Sequence, residues 1–580
     1  MSQDKSKSYI SYGPFSMSDA GLKKKSKAPG QSDKQEKVCA PFEIIGATRD
    51  PQGKSWGKGI RWSDPDGRQH TRHISDAILQ GEATALCAIL ADEGLPVYSK
   101  SHQRNLQNYL VGAKVDNRLT LVSRTGWHKI KNQNVFVLPE ETIGSHSTEQ
   151  IILDCAYAAP YETKGTLVEW QNSVGRLAAQ HPLAILAISA SLSGPLLYLA
   201  GQEGGGVNFF GPSSKGKTTL LQMSASVWGC GAQPGYLRGW RVTANGLEGA
   251  AALACDTALI LDELGVVDAR DAASAIYSLG NGVGKSRASR SGDLREPKSW
   301  RIFFISSGEL PIERKLNEDK GRKAMAGQLV RLLDIPADAG EGFGAFSNGG
   351  ENNDAAQLAK QFKTACTTFY GTAGPAFVRA LIDEQITGDK IRSGISKFVE
   401  RIKCGPDGQV NRAAQRFGLI AAAGTLAAEL GICPWSPVTV LHATEYGFKS
   451  WLGNRGGVEP VEETQAVATV RSCIENFGGS KFQRLDEDDA PRVLERLGWT
   501  RGAGATQEWL IPSESWKSIN NGQDPKLVAR VLGTRGMLVK SNDGWQCVVR
   551  IEGVPMRVYI VTSVIFDGES LSQEAASDGL

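Results

Sequence analysis

The chain has 580 residues, too many for one hydrophobic core, and at ~150 residues per domain it should divide into three or four units. A hydrophobic share of 41% with 22% charged residues excludes a disordered or fibrous chain, and a net charge of +3 confines any nucleic-acid contact to a local basic patch. Ten cysteines without a single Cys-x-x-Cys pair argue against zinc ribbons and a disulfide framework, so a reducing cytoplasm is expected.

Residues 1–37 are rich in Ser, Lys, Gly and Gln, carry Lys23-Lys24-Lys25, and lack an apolar targeting segment. They read as a disordered basic arm. An α+β domain is expected over 38–161, with strands at Phe42–Ile45, Gly59–Trp62, Arg118–Val122 and Asn134–Leu138, and one amphipathic helix from Asp76 to Asp92. His70 and His73 have ligand-like spacing without a second pair nearby and read as surface histidines. Helices follow at Leu167–Ala179 and Leu183–Tyr198. The uncharged run Leu183–Ala200 contains Ser189, Ser191, Ser193, Gly194 and Pro195, which makes it a buried helix and turn rather than a membrane span.

The run Val207–Phe210 then enters Gly211-Pro212-Ser213-Ser214-Lys215-Gly216-Lys217-Thr218-Thr219, followed by an apolar helix to Trp228. A strand, a Gly-x-x-x-x-Gly-Lys-Thr loop and a helix in that order form a phosphate-binding loop. Gly211 and Gly216 allow the tight turn that aims backbone N–H groups at a polyphosphate, and the helix start adds its positive dipole end. Lys217 is expected on the β- and γ-phosphates of ATP and Thr218 on Mg²⁺.

A strand at Gly235–Arg241 and a helix at Asn245–Ala254 lead to Thr257–Glu263, an apolar strand closed by two carboxylates. Asp262 is the candidate magnesium ligand, and Glu263 the residue that polarises the attacking water. The chain between the motifs predicts an extra strand separating the two motif strands. After a helix at Asp268–Gly280, residues 281–298 interleave five cations with three glycines and three serines. A solvated loop is the plain alternative. The functional reading is a β-hairpin that presents Lys285, Arg287, Arg290 and Arg295 to a phosphate backbone. The strand Trp300–Ser307 follows, and Ser306 or Ser307 can hold the catalytic water.

Leu329–Ile335 reads as the last strand of the sheet, with Arg331 the candidate arginine finger in competition with Arg314, Arg322 and Lys323. The Gly-rich stretch Asp338–Asp354 reads as a flexible loop, placing an ATPase core at 162–340. A helical lid follows over 341–455, where Arg412 or Arg416 either faces the γ-phosphate or forms a surface salt bridge. Residues 456–580 alternate helix with paired strands, as a winged-helix-like domain does.

The runs Gly126–Pro139, the Gly211–Thr219 loop with Ser226–Gly229, Ile260–Glu263, Gly280–Arg287, Ser299–Glu309 and Ala326–Ala337 together resemble the bacterial and phage family called domain of unknown function nine-two-seven. The likeness covers about residues 120–455. It implies a multidomain α/β chain with a central AAA+ ATPase of the minichromosome-maintenance-like or superfamily-three-like helicase type. It further implies a ring, expected to be a hexamer, acting on single-stranded or forked DNA of a prophage or genomic island, with a replication initiator or primase as possible partner. A serine where such proteins often have asparagine at the end of the Trp300 strand is a departure, and no primase-type metal cluster is evident. An ATPase that remodels protein or nucleoprotein partners without unwinding is the alternative.

Overall fold

The computed structural model describes residues 9–26, 34–130, 133–144, 149–154, 160–288, 294–295, 297–319, 326–405, 407–457, 461–487, 491–541 and 544–569. They form two compact units, 1–404 with 411–454, and 405–410 with 455–580. The expected limits at 37, 161 and 340 fall inside the first unit, and the limit at 455 lies beside the break.

The first unit begins with β1 (Phe15–Ser18), β2 (Gly21–Ser26) and β3 (Lys34–Cys39), an antiparallel sheet with Leu22 paired to both Met17 and Cys39. This corrects the disordered arm for residues 15–26. Phe15, Met17 and Leu22 are buried with Tyr109, Leu106 and Trp62, while Lys23, Lys24 and Lys25 lie on the partly or fully exposed strand surface. A second sheet has the order β11 (Gln150–Leu153), β7 (Arg118–Val122), β4 (Phe42–Arg49), β5 (Gly57–Ser63) and β6 (Gln69–Ser75). The expected single helix is broken at Gln80-Gly81 into Asp76–Leu79 and α1 (Ala83–Asp92), and α2 (Gln103–Gly112) follows. His70 is hydrogen-bonded to Asp64 and stacked on Trp62, and His73 is bonded to Thr48. A small sheet of β8 (Gly126–Ile130), β9 (Gln133–Val137) and β10 (Thr142–Ile143) completes this part.

Two short apolar helices, α3 (Pro182–Ser191) and α4 (Gly194–Ala200), meet at a 57° bend. Nearly every residue of α3 and most of α4 are buried, and α3 packs on α5 (Lys217–Ser226). Among the described residues no single helix is long and apolar enough to cross a membrane.

The central sheet is entirely parallel, in the order β13 (Arg238–Gly239), β14 (Ala258–Asp262), β17 (Phe303–Gly308), β12 (Gly205–Phe210) and β18 (Leu332–Pro336). Helix α6 (Ala244–Leu253) precedes β14, and between β14 and β17 in the chain come α7 (Ala269–Asn281) and a two-stranded hairpin of β15 (Arg287–Ala288) with β16 (Leu294–Arg295). Helices on both faces leave β14, β17 and most of β12 and β18 buried throughout, apolar at their amino-terminal halves and polar toward the carboxyl ends of β14 and β17. The expected Gly235–Arg241 strand shrinks to two residues at the sheet edge. What separates the two motif strands in space is β17, which comes later in the chain and carries the serines.

The Gly-rich stretch after β18 is not a free loop. Ala345 donates its N–H to the Lys215 carbonyl at 2.8 Å, and Phe346 is buried, stacked on Phe362 and edge-on to His181. Helices α8 (Ala355–Thr368), α9 (Ala373–Asp383), α10 (Gly388–Ile402), α11 (Gly408–Glu429) and α12 (Pro437–Arg455) follow.

The second unit holds α13 (Val461–Phe477), α14 (Ser513–Ile519) and α15 (Pro525–Thr534). Its sheet has the order β19 (Phe482–Arg484), β20 (Gly498–Arg501), β21 (Glu508–Pro512), β23 (Val554–Thr562) and β22 (Cys547–Ile551). Trp509, Trp516, Val528, Leu532 and Val561 form its core.

Candidate functional site

Parallel strands bring their carboxyl ends to one edge of the sheet, where open α/β sheets bind ligands. At that edge the chain leaves β12 through Gly211 at φ 145° and Ser214 at 64°, and enters α5 through Gly216 at 87°. Gly216 is confined as well as left-handed, because an added Cβ would come within 3.1 Å of the Phe346 ring. Pro212, Ser213 and Ser214 are exposed, and Thr219 is buried under the loop. Lys217 lies in the curl of the loop, its Nζ donating to the Gly211 and Pro212 carbonyls at 2.7 Å each. Burial pulls its pKa below the ordinary lysine range, opposed by Glu309 and Asp262. Lys215 points away and pairs with Asp338 at 3.6 Å.

Neighbouring strand ends supply the acids. Thr218 Oγ1 donates to Asp262 Oδ2 at 3.1 Å, and the Ser307 hydroxyl donates to Asp262 Oδ1. Ser307 Oγ also accepts the Glu263 N–H at 3.1 Å. Glu263 sits in the left-handed region at φ 65°, so the chain turns sharply after β14 and leaves its side chain exposed at the edge. Of the two candidate serines, Ser307 touches both acids. Ser306 points the other way and accepts from Trp240 Nε1 at 2.9 Å.

The structure therefore gathers Lys217, Thr218, Asp262, Glu263 and Ser307 at one place. A threonine hydroxyl and a carboxylate 3.1 Å apart form the hard-oxygen pair that suits Mg²⁺ with water completing its shell. Glu309 was missed by sequence reading. It follows β17 and accepts from Ser213 Oγ at 2.8 Å, and only the strand order puts it beside the loop. Also unread was the buried pair Asn208–Asp334, joined at 2.8 Å across β12 and β18, where burial pushes Asp334 up to about 7.

The candidate arginines lie elsewhere. Arg331 precedes β18, at the sheet end opposite its own glycine loop. It is held over the Tyr277 ring at 4.7 Å and donates to Gly327 O at 2.7 Å and Asn281 Oδ1 at 2.8 Å. Arg416 is at the same end, donating to Gly204 O at 3.1 Å with Nε and Nη1 shut off from solvent and unpaired. Burial, then Arg331 and Arg412, lowers it to about 10. Arg416 therefore lies away from the glycine loop of its own chain, since β12 separates the two. Arg412 and Arg314 are exposed, and Arg322 and Lys323 lie outside the described residues.

The cationic insert forms the expected hairpin, rooted at the amino end of β17. Gly284 N donates to Lys298 O at 2.8 Å and Trp300 N to Gly282 O at 2.9 Å. Lys285 is exposed, while its N–H donates to Glu248 Oε1 at 3.1 Å. The register sets positions Arg287 and Arg295 opposite each other, and Arg290 lies outside the described residues.

One further cluster joins the β8–β9 hairpin to the central sheet. Asp256, fully buried at the start of β14, accepts from Arg301 at 2.7 and 2.6 Å and from the Trp127 N–H at 2.8 Å. Trp127 Nε1 donates to Pro195 O at 2.9 Å, and Arg301 lies 4.8 Å over the Tyr198 ring. Burial pushes Asp256 up against the opposing pull of Arg301.

A family model described as "Domain of unknown function (DUF927)" matches residues 15–299. The match reaches far into the amino-terminal part, which the sequence reading had left without a likeness. A search of curated proteins found no match. Among solved structures, the chain is similar to one described as "SCCmec type IV Cch - active helicase" at 20% identity and a TM-score of 0.71, covering 96% of this chain and 99% of that one. It shares that protein's fold along nearly its whole length. A second, described as the "A form apo structure of NrS-1 C terminal region", is 10% identical over 90% of this chain and 96% of that one, with a TM-score of 0.33. At that score it carries no weight here.

Proposed function

We propose that the chain is an ATP-hydrolysing motor of the AAA+ class that translocates on DNA and parts its strands, working as a ring, with a hexamer the expected size. The observation that carries the reading is the meeting of Thr218, Asp262, Ser307 and Glu263 beneath the glycine loop, with Thr218 Oγ1 3.1 Å from Asp262. Backbone N–H groups of residues 212–217 and Lys217 hold the phosphates of ATP. Thr218 and Asp262 would hold Mg²⁺, which would supply positive charge to offset that of the phosphates. Glu263 orients and polarises the water that attacks the γ-phosphorus as the bond to the ADP oxygen breaks, and Ser307 fixes the Asp262 carboxylate and the Glu263 backbone at that strand tip.

Arg331 faces away from its own loop, so in this reading it serves the nucleotide of a neighbouring copy. The fold shared with an active helicase of a mobile element supports DNA as the track and a mobile element such as a genomic island or prophage as the setting; an initiator or primase as partner is part of the proposal alone. The hairpin carrying Lys285, Arg287, Arg290 and Arg295 is the part that grips the phosphate backbone. The test is hydrolysis with and without single-stranded DNA, together with unwinding of a fork. Changing Lys285→Ala with Arg287→Ala should abolish stimulation and unwinding while nucleotide affinity is retained. Undiminished stimulation, or stimulation by a protein client indifferent to DNA and salt, would replace the motor with a remodeller.

A further inference from the structure

The cations of the carboxyl-terminal unit are sorted. Lys481, Arg484, Arg496, Arg501, Lys517 and Arg535 each pair with an acid of the same unit. Lys526, Arg530, Lys540, Arg550 and Arg557 have no acid partner among the described residues, and all five are exposed. They fall on α15, the segment after it, and the β22–β23 hairpin. Arg492 is the one other exposed cation of this unit without an acid partner among the described residues.

Their placement has a shape. Helices α14 and α15 are joined by a short turn, and Asp524 caps α15 by accepting the Lys526 N–H at 2.9 Å. Val528, Ala529, Val531 and Leu532 bury one side of α15, which leaves Lys526 and Arg530, one turn apart, on the outer side. In the hairpin Val548 pairs with Arg557 and Arg550 with Pro555, so both arginines stand on one exposed face. Helices and hairpin are locked together. The Trp545 ring fills the place a side chain at Gly533 would need, Trp516 stacks on Tyr559 at 4.5 Å, and Gln546 donates to Ser513 Oγ at 2.8 Å. Lys540 Nζ lies 5.9 Å over Trp545.

We propose that this unit carries a second nucleic-acid site, for double-stranded DNA. Helix α15 lies in the major groove with Lys526 and Arg530, and the hairpin sets Arg550 and Arg557 on the adjacent backbone. A ten-residue helix spans about 15 Å, enough to cross a groove about 12 Å wide. A single strand would instead need open aromatic platforms, whereas the rings beside these cations, Trp545 and Tyr559, are half-buried and already covered by Gly533 and Trp516. The site goes beyond the motor and does not rest on it.

The test uses the full chain and a blunt duplex of about two helical turns, followed by fluorescence anisotropy between about 50 and 200 mM salt. Lys526→Ala with Arg530→Ala, and separately Arg550→Ala with Arg557→Ala, should each weaken duplex binding by about tenfold or more and reduce the salt slope by about 2. Single-strand affinity and single-strand-stimulated hydrolysis should be unmoved, and the ion-paired control Lys481→Ala should behave as the parent. The charge reversal Lys526→Glu with Arg530→Glu should weaken duplex binding further while the urea midpoint stays put. Unchanged duplex affinity and slope in both alanine pairs would overturn the proposal. So would an equal loss for duplex and single strand, or the same residues proving necessary for an acidic protein and not for DNA. A chain without DNA-stimulated hydrolysis that still shows the selective duplex loss would refute the motor and leave this site standing.

Discussion

Replacing Ser307 by alanine tests how the two acids are held. The hydroxyl, 2% exposed, donates to Asp262 and accepts from the Glu263 N–H at 3.1 Å. A hydrogen bond to a charged group contributes about 1.5–3 kcal/mol, while the N–H of the exposed Glu263 can turn to water at small cost. Taking about 2 kcal/mol as the loss of positioning, phosphate release should slow by roughly 30-fold. Nucleotide affinity, set by loop amides that Ser307 does not touch, should stay within about threefold. Steady-state hydrolysis gives the first quantity and equilibrium binding of a fluorescent ATP analogue the second. Combined with Asp262→Asn, the double variant should lose less than the sum, by about 1–2 kcal/mol, because the two side chains are in contact. Turnover within about threefold of the parent, or affinity falling as far as turnover, would refute the reasoning.

Further outcomes follow from other contacts. Glu263→Gln should bind ATP and hydrolyse it at least about 100-fold more slowly, seen as retained nucleotide after gel filtration; release at the parent rate would remove Glu263 from the chemistry. His181, 2% exposed beside Phe346, is held down to about 4 by burial. The unfolded chain therefore takes up a proton as pH falls through about 6.5 while the folded chain does not, so stability is full above that pH and declines by roughly 3 kcal/mol toward pH 4. His181→Asn should flatten the fall in urea midpoint between pH 7 and pH 5, and an unaltered slope would exclude this residue as its source. Asp256→Ala strands Arg301 and should cost roughly 3–5 kcal/mol in denaturant unfolding, with partial recovery on adding Arg301→Met; a loss under about 1 kcal/mol would show the cluster to be incidental.

The glycine loop and the acidic strand were legible because each is a short pattern whose local backbone carries the chemistry. The Asp256–Arg301 and Asn208–Asp334 pairs were not, since their partners are brought together only by strand order. Two stretches misled for a compositional reason. In β2 a single apolar residue, Leu22, faces the core among lysines, and after β18 the glycines hide Phe346, which props the phosphate-side loop. The extra strand was expected from the chain between the motifs, yet a parallel sheet can insert a later strand in space, as β17 does between β14 and β12. The arginines could not be placed, because which end of a strand a side chain occupies depends on the direction of that strand within the sheet.

Strand β17 begins just after Trp300 at the root of the cationic hairpin and reaches past Ser307, every residue buried, paired with β12 along its whole length and with β14 from Phe303 to Ser306. Six residues of such backbone form a rod about 20 Å long, with no bulge or exposed peptide to take up slack. In the proposed motor a nudge at one tip would arrive at the other as whole-body travel, so stiffness here, more than any hinge, would set how tightly chemistry and stroke are geared.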